Sequence, residues 1–242
     1  MTRYFTGLAI FVAASLAYAP PPAHATSNYG YRKNEYVIIR DGRSPDKRLS
    51  VASHGNGELG DEDFHLYLMA EPAHRKIVPL EAIASDDVLD SAAHAYHARW
   101  SADSRHVAVL FRSDRHVVAM RLYEIRERRP HLMSGPALLD EVIKGAIVSS
   151  EDYDTRSSST TLSWLSPTRF SLKERRLFQA SSRDLARALG AFGQETPDPD
   201  TKTVDGDNKP VEWSFVDFSV EAVCEVSGDR YRVVEVKPGG FE

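Results

Sequence analysis

The sequence predicts a mainly β chain, an antiparallel meander that forms a curved sheet and carries two or three short helices. Strand-length runs rich in β-branched and aromatic residues recur at Tyr36 to Ile39, Phe64 to Met69, Val107 to Phe111 and Val117 to Ile125, each bounded by turn-forming clusters. Near the carboxyl end Val220, Ala222, Cys224 and Val226 alternate with Glu221 and Glu225, the period of two that marks a half-buried strand. Helical spacing is confined to short segments.

Residues 1–25 read as a secretory signal. Arg3 and the terminal amine supply positive charge, Tyr4 to Ala19 an apolar core led by Leu8, Ile10, Phe11, Val12 and Leu16, and Pro20, Pro21 and Pro22 break it. Ala23-His24-Ala25 is a small-x-small site, so cleavage is expected between Ala25 and Thr26. Ala17-Tyr18-Ala19 fits the same pattern but would leave Pro20, with its ring-locked backbone, just after the cut. A bilayer span needs about 20 apolar residues, and this run is shorter and interrupted by Gly7 and Ser15. The expected product is a secreted or periplasmic, soluble chain from Thr26 to Glu242, one β-rich domain with no membrane insertion.

Along that domain, Arg112-Ser113-Asp114-Arg115 sits between two strand runs as a hairpin loop, and Ser227-Gly228-Asp229 turns the last strand back into Tyr231 to Val236. A helix opens after Ser134-Gly135-Pro136, with Leu138, Leu139, Val142 and Ile143 on one face and Gly145 as its C-terminal cap. Ser182 caps a second, Arg183 to Phe192, and Leu80 to Ser91 has weaker helical spacing. Glu151 to Thr161 and Glu195 to Pro210 are polar enough to read as surface loops. The single cysteine, Cys224, allows no intramolecular disulfide and falls on the inward side of its strand, where it reads as an inert core thiol. The formal charge of −5 is spread over interspersed acids and bases, which argues against nucleic acid or an anionic membrane as partner.

Three segments share a turn logic. Ser44-Pro45-Asp46-Lys47-Arg48-Leu49, Ser101-Ala102-Asp103-Ser104-Arg105-His106 and Ser166-Pro167-Thr168-Arg169-Phe170 each run from a serine turn through a basic residue into a strand, and Trp100 and Trp164 stand just before two of them. The pattern resembles the strand turns of Tol-associated β-propeller repeats, and the resemblance implies a propeller-like sheet with the tryptophans packed between neighbouring layers. The copies lack the repeat's glycine, and they are set wider apart than the ~40–50 residues of propeller blades.

Gly55-Asn56-Gly57-Glu58-Leu59-Gly60 has dinucleotide-like glycine spacing, but Asp61-Glu62-Asp63 and a strand follow where a helix amino end is needed. Asp198, Asp200, Asp205, Asp207 and Asn208 crowd one stretch without EF-hand spacing. His94 and His97, with His106 and His116 beyond, lack the spacing of a zinc site, and no Gly-x-Ser-x-Gly elbow exists. No catalytic, cofactor-binding or metal-binding residue is therefore assigned. The reading is an exported accessory or binding protein of the cell envelope whose loops and aromatic residues meet another envelope protein or a small ligand; the alternative is an exported hydrolase with a dispersed Ser/His/Asp site. A histidine within reach of both a Ser or Asp and a second carboxylate would favour the enzyme, and exposed aromatics on a sheet face would favour binding.

Overall fold

The computed structural model describes residues 27–55, 64–84, 87–204 and 210–241. Two consecutive four-stranded meanders make the first sheet: β1 (Val37–Arg43), β2 (Leu49–His54), β3 (His65–Ala70) and β4 (Arg75–Ala84), then β5 (His97–Trp100), β6 (His106–Asp114), β7 (Val117–Arg126) and β8 (Arg129–Met133). Their order is β4-β3-β2-β1-β5-β6-β7-β8, and every neighbour is antiparallel except β1 and β5, which run parallel with Arg40 opposite His97. The sheet curls until it is nearly closed, barrel-like, and the Tyr123 hydroxyl on β7 donates to the Glu81 carbonyl on β4. Inside lie Ile39, Val51, Leu66, Leu68, Leu80, Ile83, Val107, Val109, Phe111 and Tyr123.

The second sheet contains β9 (Tyr153–Ser166), β10 (Arg169–Ala180), β11 (Gly193–Val204), β12 (Pro210–Ser227) and β13 (Arg230–Pro238). Its order is β11-β12-β10-β9, with β13 also on β12. The long β12 offers one edge to β10 and divides the other between β11 and β13. Two short helices, α1 (Leu138–Val142) and α2 (Asp184–Leu189), bury Leu138, Leu139, Leu185 and Leu189 in the second core.

Alternation along β6 and β7 divides the cores. Val107, Val109, Phe111, Tyr123 and Ile125 enter the first, whereas Ala108 and Leu122 face the second with Phe170, Phe178, Val216, Phe218 and Cys224. The second meander is thus a middle layer whose β6 is buried on both faces over Val107 to Phe111, which is why that run is continuously apolar rather than alternating. Burying each of those phenylalanines stabilises the fold by about 1.5–3 kcal/mol. Cys224 is fully buried, and burial pushes its thiol up to about 12, in keeping with an inert core position.

Three segments differ from the sequence reading. Leu80 to Ala84 continues strand β4 instead of opening a helix. A bulge at Ala82, whose φ is 58°, lets Leu80 and Ile83 both face inward three residues apart, the spacing that imitates a helix. Glu151 to Thr161 runs mostly in β9, and Glu195 to Val204 lies in β11. Both are edge strands, which tolerate polar faces and, in β11, Pro197 and Pro199.

Two of the three serine turns are the same turn. Ser44 Oγ donates to Asp46 Oδ1 (2.7 Å) and accepts from the Leu49 N–H (3.0 Å), while the Arg48 N–H donates to Asp46 Oδ1 (3.0 Å). In the second copy Ser101 Oγ donates to Asp103 Oδ1 (2.6 Å) and accepts from the His106 N–H (2.9 Å), while the Arg105 N–H donates to Asp103 Oδ1 (3.2 Å). Lys47 and Ser104 occupy the same left-handed position, φ 59° and 61°, and the Asp46 N–H donates to Ser104 Oγ, joining the turns. The Ser166 turn lacks an aspartate, and its Ser166 Oγ accepts from the Thr168 and Arg169 N–H groups. The tryptophans link successive units: Trp100 Nε1 donates to the Gly42 carbonyl (3.0 Å), and Trp164 Nε1 to the Arg99 carbonyl (2.9 Å).

His106 stands where the first copy has Leu49, is 5% exposed, and lies against Trp164 with ring centroids 5.6 Å apart. Its Nδ1 is buried without a partner among the described residues. Burial holds the imidazole below its ordinary pKa, outweighing the attraction of Glu124 and Asp103. The unfolded chain therefore takes up the proton first, so stability is unaffected above the unfolded pKa near 6.5 and falls as pH drops below it. His106→Leu, which copies the first turn, is expected to flatten this loss between pH 7.5 and 5.5 in thermal melts. Parallel losses in parent and variant would remove His106 as the cause.

Candidate functional site

The inward stripe of β10 reads Phe170, Leu172, Glu174, Arg176, Phe178, Ala180, since alternate residues of a strand share a face. Its middle two positions carry charge. Glu174 is 9% exposed, and Arg176 Nε donates to Glu174 Oε1. On β9 the opposed residues are Thr160 and Ser158, and the second sheet faces the middle layer across a cleft of about 600 Å³. Met120 and Leu122 of β7, Met133 of β8 and Leu138 of α1 supply an apolar wall.

Backbone contacts shape the cleft. The Ser158 N–H donates to the His116 carbonyl (2.8 Å) and its Oγ accepts from the Val118 N–H (2.9 Å), stitching β9 to β7. Elsewhere on its wall Ser134 N–H donates to the Asp229 carbonyl and Tyr231 N–H to the Ser134 carbonyl (2.9 Å). Gly135 is required there, because a Cβ would lie 2.1 Å from the Tyr231 ring. Burial pushes the Tyr231 phenol up to about 12, with Cys224 and Glu174 adding to the effect, so its hydroxyl remains a donor at neutral pH.

A second feature runs along the first meander, with Tyr36 and Tyr67 in a small cluster of their own and Tyr31 packed against the inner core. Tyr29, Tyr31, His54, Tyr36, Tyr67 and His65 form a continuous run of rings, with successive centroids 4.8, 5.9, 4.4, 5.4 and 5.9 Å apart. The Lys76 ammonium lies 5.1 Å from the Tyr67 centroid and 5.7 Å from that of Tyr36, within cation–π range. At one end a groove of about 500 Å³ is lined by Tyr29, Tyr31, Ile38, Arg40 and His94. The segment bearing the first two rings is strapped down: Ser27 N–H donates to Asp90 Oδ1 (2.7 Å), Tyr29 N–H to Ser91 Oγ (2.8 Å) and the Tyr31 hydroxyl to the Ser91 carbonyl (2.7 Å).

The residues weighed in the sequence do not converge. His94 lines the aromatic groove while His97 Nε2 bonds Asp41 Oδ2 (2.6 Å). Among the described residues no group of three or more His, Cys, Asp or Glu side chains is placed to hold a metal. Gly55 ends the β2 side of a connection between two antiparallel strands, and the remainder of its motif lies outside the described residues, as do Ala25, Thr26, Asp205, Asp207 and Asn208. Asp198 and Asp200 lie in β11.

The nearest approach to a hydrolytic arrangement is Ser50, Glu71 and His74. Ser50 Oγ donates to Glu71 Oε1 (2.7 Å) and His74 Nδ1 bonds the same oxygen (3.1 Å). The carboxylate thus sits between hydroxyl and imidazole, whereas a hydrolase needs the imidazole between hydroxyl and carboxylate. His74 Nε2 faces the Tyr36 carbonyl (2.8 Å), and that bond together with Glu71 raises the imidazole pKa. Comparison with protein-family models, with curated proteins and with solved structures returns no match. Neither the Glu174–Arg176 doublet nor the ring run was picked out from the sequence. The signal for the first was present, because Glu174 and Arg176 fall in phase with Phe170, Leu172 and Phe178.

Proposed function

We propose that this is an exported, soluble accessory protein of the cell envelope that works by binding, with the aromatic face of its first meander as the surface that meets another envelope protein or a small ligand. The run of six rings ending in the Tyr29–Tyr31 groove carries this reading, since aromatic side chains supply large contact area with few rotatable bonds and are enriched in interfaces. The shared turns and the two tryptophan links relate the meanders as repeated units. Ser27, one residue beyond the proposed cleavage, is already held by Asp90.

Export predicts processing: amino-terminal sequencing of the exported protein should start at Thr26, and an exported form that retains Met1 would overturn cleavage. Binding is tested by recovering partners from the envelope fraction on the tagged mature chain and on Tyr29→Ala. Tyr29 is 44% exposed, so its loss leaves the core intact. Recovery should fall several-fold with the variant. The same proteins in the same amounts on both chains would remove the aromatic face as the contact surface.

A further inference from the structure

The cleft between the two sheets lies apart from the aromatic face, and the fold does not account for its charges. Positions flanking Glu174 and Arg176 on the same stripe are filled by Leu172 and Phe178, which pack in the second core. Apolar residues at 174 and 176 would continue that core. A largely buried ion pair contributes little net stability, and replacing one by apolar residues of similar volume is often neutral or stabilising. The pair also opens onto a cleft of about 600 Å³ rather than onto packed side chains.

We propose that this cleft binds a small zwitterion, an α-amino acid with an apolar side chain. Glu174 and Arg176 present a carboxylate and a guanidinium side by side on one wall. A ligand ammonium matches the first and a ligand carboxylate the planar fork of the second. A simple anion meets repulsion from Glu174 and a simple cation from Arg176, so the doublet selects for a molecule bearing both charges close together. Thr160 and Ser158 pair with the doublet on the neighbouring strand β9, and Tyr231 also lines the space. Met120, Leu122, Met133 and Leu138 form the apolar wall for the ligand's side chain, with the two methionines able to adjust to its shape.

The test is calorimetric titration of the mature chain with leucine, methionine and phenylalanine, alongside N-acetyl-leucine and leucine amide, each of which lacks one of the two charges. Saturable binding of at least one free amino acid is expected, with about a tenfold or greater loss on removing either ligand charge, as for a charge-assisted hydrogen bond. Glu174→Gln and Arg176→Met should each weaken binding by a similar factor. Glu174→Leu combined with Arg176→Leu should abolish binding while the melting temperature holds or rises. No saturable heat at millimolar ligand overturns the proposal, and so does equal binding of the blocked amino acids. Unchanged affinity in the Gln variant, which preserves shape even if the double variant does not fold, overturns it as well. A fall in melting temperature with both leucines would assign the pair a structural role and overturn it too.

Discussion

Replacing Asp90 by alanine is expected to cost about 3–5 kcal/mol, because it leaves a desolvated guanidinium without its counter-charge. Asp90 is 3% exposed, and Arg112 grips it with two bonds, Nε to Oδ2 at 2.7 Å and Nη2 to Oδ1 at 2.5 Å. That grip raises the Arg112 pKa in the parent, and an arginine without such a partner still keeps its proton in a protein, so the variant cannot escape the penalty by deprotonation. The Ser27 N–H also ends on Asp90 Oδ1, and the Tyr96 hydroxyl donates to the Asp90 carbonyl. A domain of this size has about 5–15 kcal/mol in all, so the loss should appear as a large drop in the urea midpoint with little change in slope. Asp90→Asn should fall between, since an amide still offers one acceptor. Because Ser27 and Ser91 strap down Tyr29 and Tyr31, the same change should loosen the aromatic groove. An unfolding free energy for Asp90→Ala within about 1 kcal/mol of the parent, against the several expected of a broken buried pair, would mean that Arg112 finds water or another partner.

The mainly β, antiparallel character is legible wherever strand geometry writes itself into side chains. Val220 to Val226 alternates because β12 has one core face there, and Val107 to Phe111 does not alternate because β6 has two. Illegible segments have equally local causes. A bulge at Ala82 sets Leu80 and Ile83 at helical spacing within a strand, and β9 reads as a loop because its inward side faces the cleft through Ser158 and Thr160 rather than a core through apolar residues. The same circumstance obscured the doublet: charges at inward positions weaken the alternation by which β10 is recognised, although Phe170, Leu172 and Phe178 keep its phase. Aromatic residues gave warning of a surface only by their number, since Tyr36, His54 and Tyr67 meet through pairing of β1, β2 and β3 and not through sequence proximity.

Trp164→Ala should destabilise the protein by about 3 kcal/mol, the lower end of the usual cost of deleting a tryptophan, since the ring is only half buried. The indole lies edge-on to Phe170 at 5.3 Å, covers His106 at 5.6 Å and donates to the Arg99 carbonyl. It therefore fastens β9 of the second sheet to β5 and β6 of the middle layer, and its removal withdraws apolar cover from both sides. Trp164→Phe keeps an aromatic ring but gives up the N–H, and should cost about 1 kcal/mol, the net worth of one hydrogen bond. Trp100 makes the corresponding bond one unit earlier, to Gly42, and sits beside Arg99, the residue that Trp164 contacts. If the two rings form one chain of links through β5, the double alanine variant should differ from the sum of the singles by 0.5 kcal/mol or more, the range seen for residues that share partners. Trp213 on β12, outside all three turn copies, supplies the comparison and should add to either variant without coupling. Strict additivity of the Trp100 and Trp164 changes in denaturant midpoints would show two separate local contacts, and the idea of repeated units joined by tryptophans would fail with it.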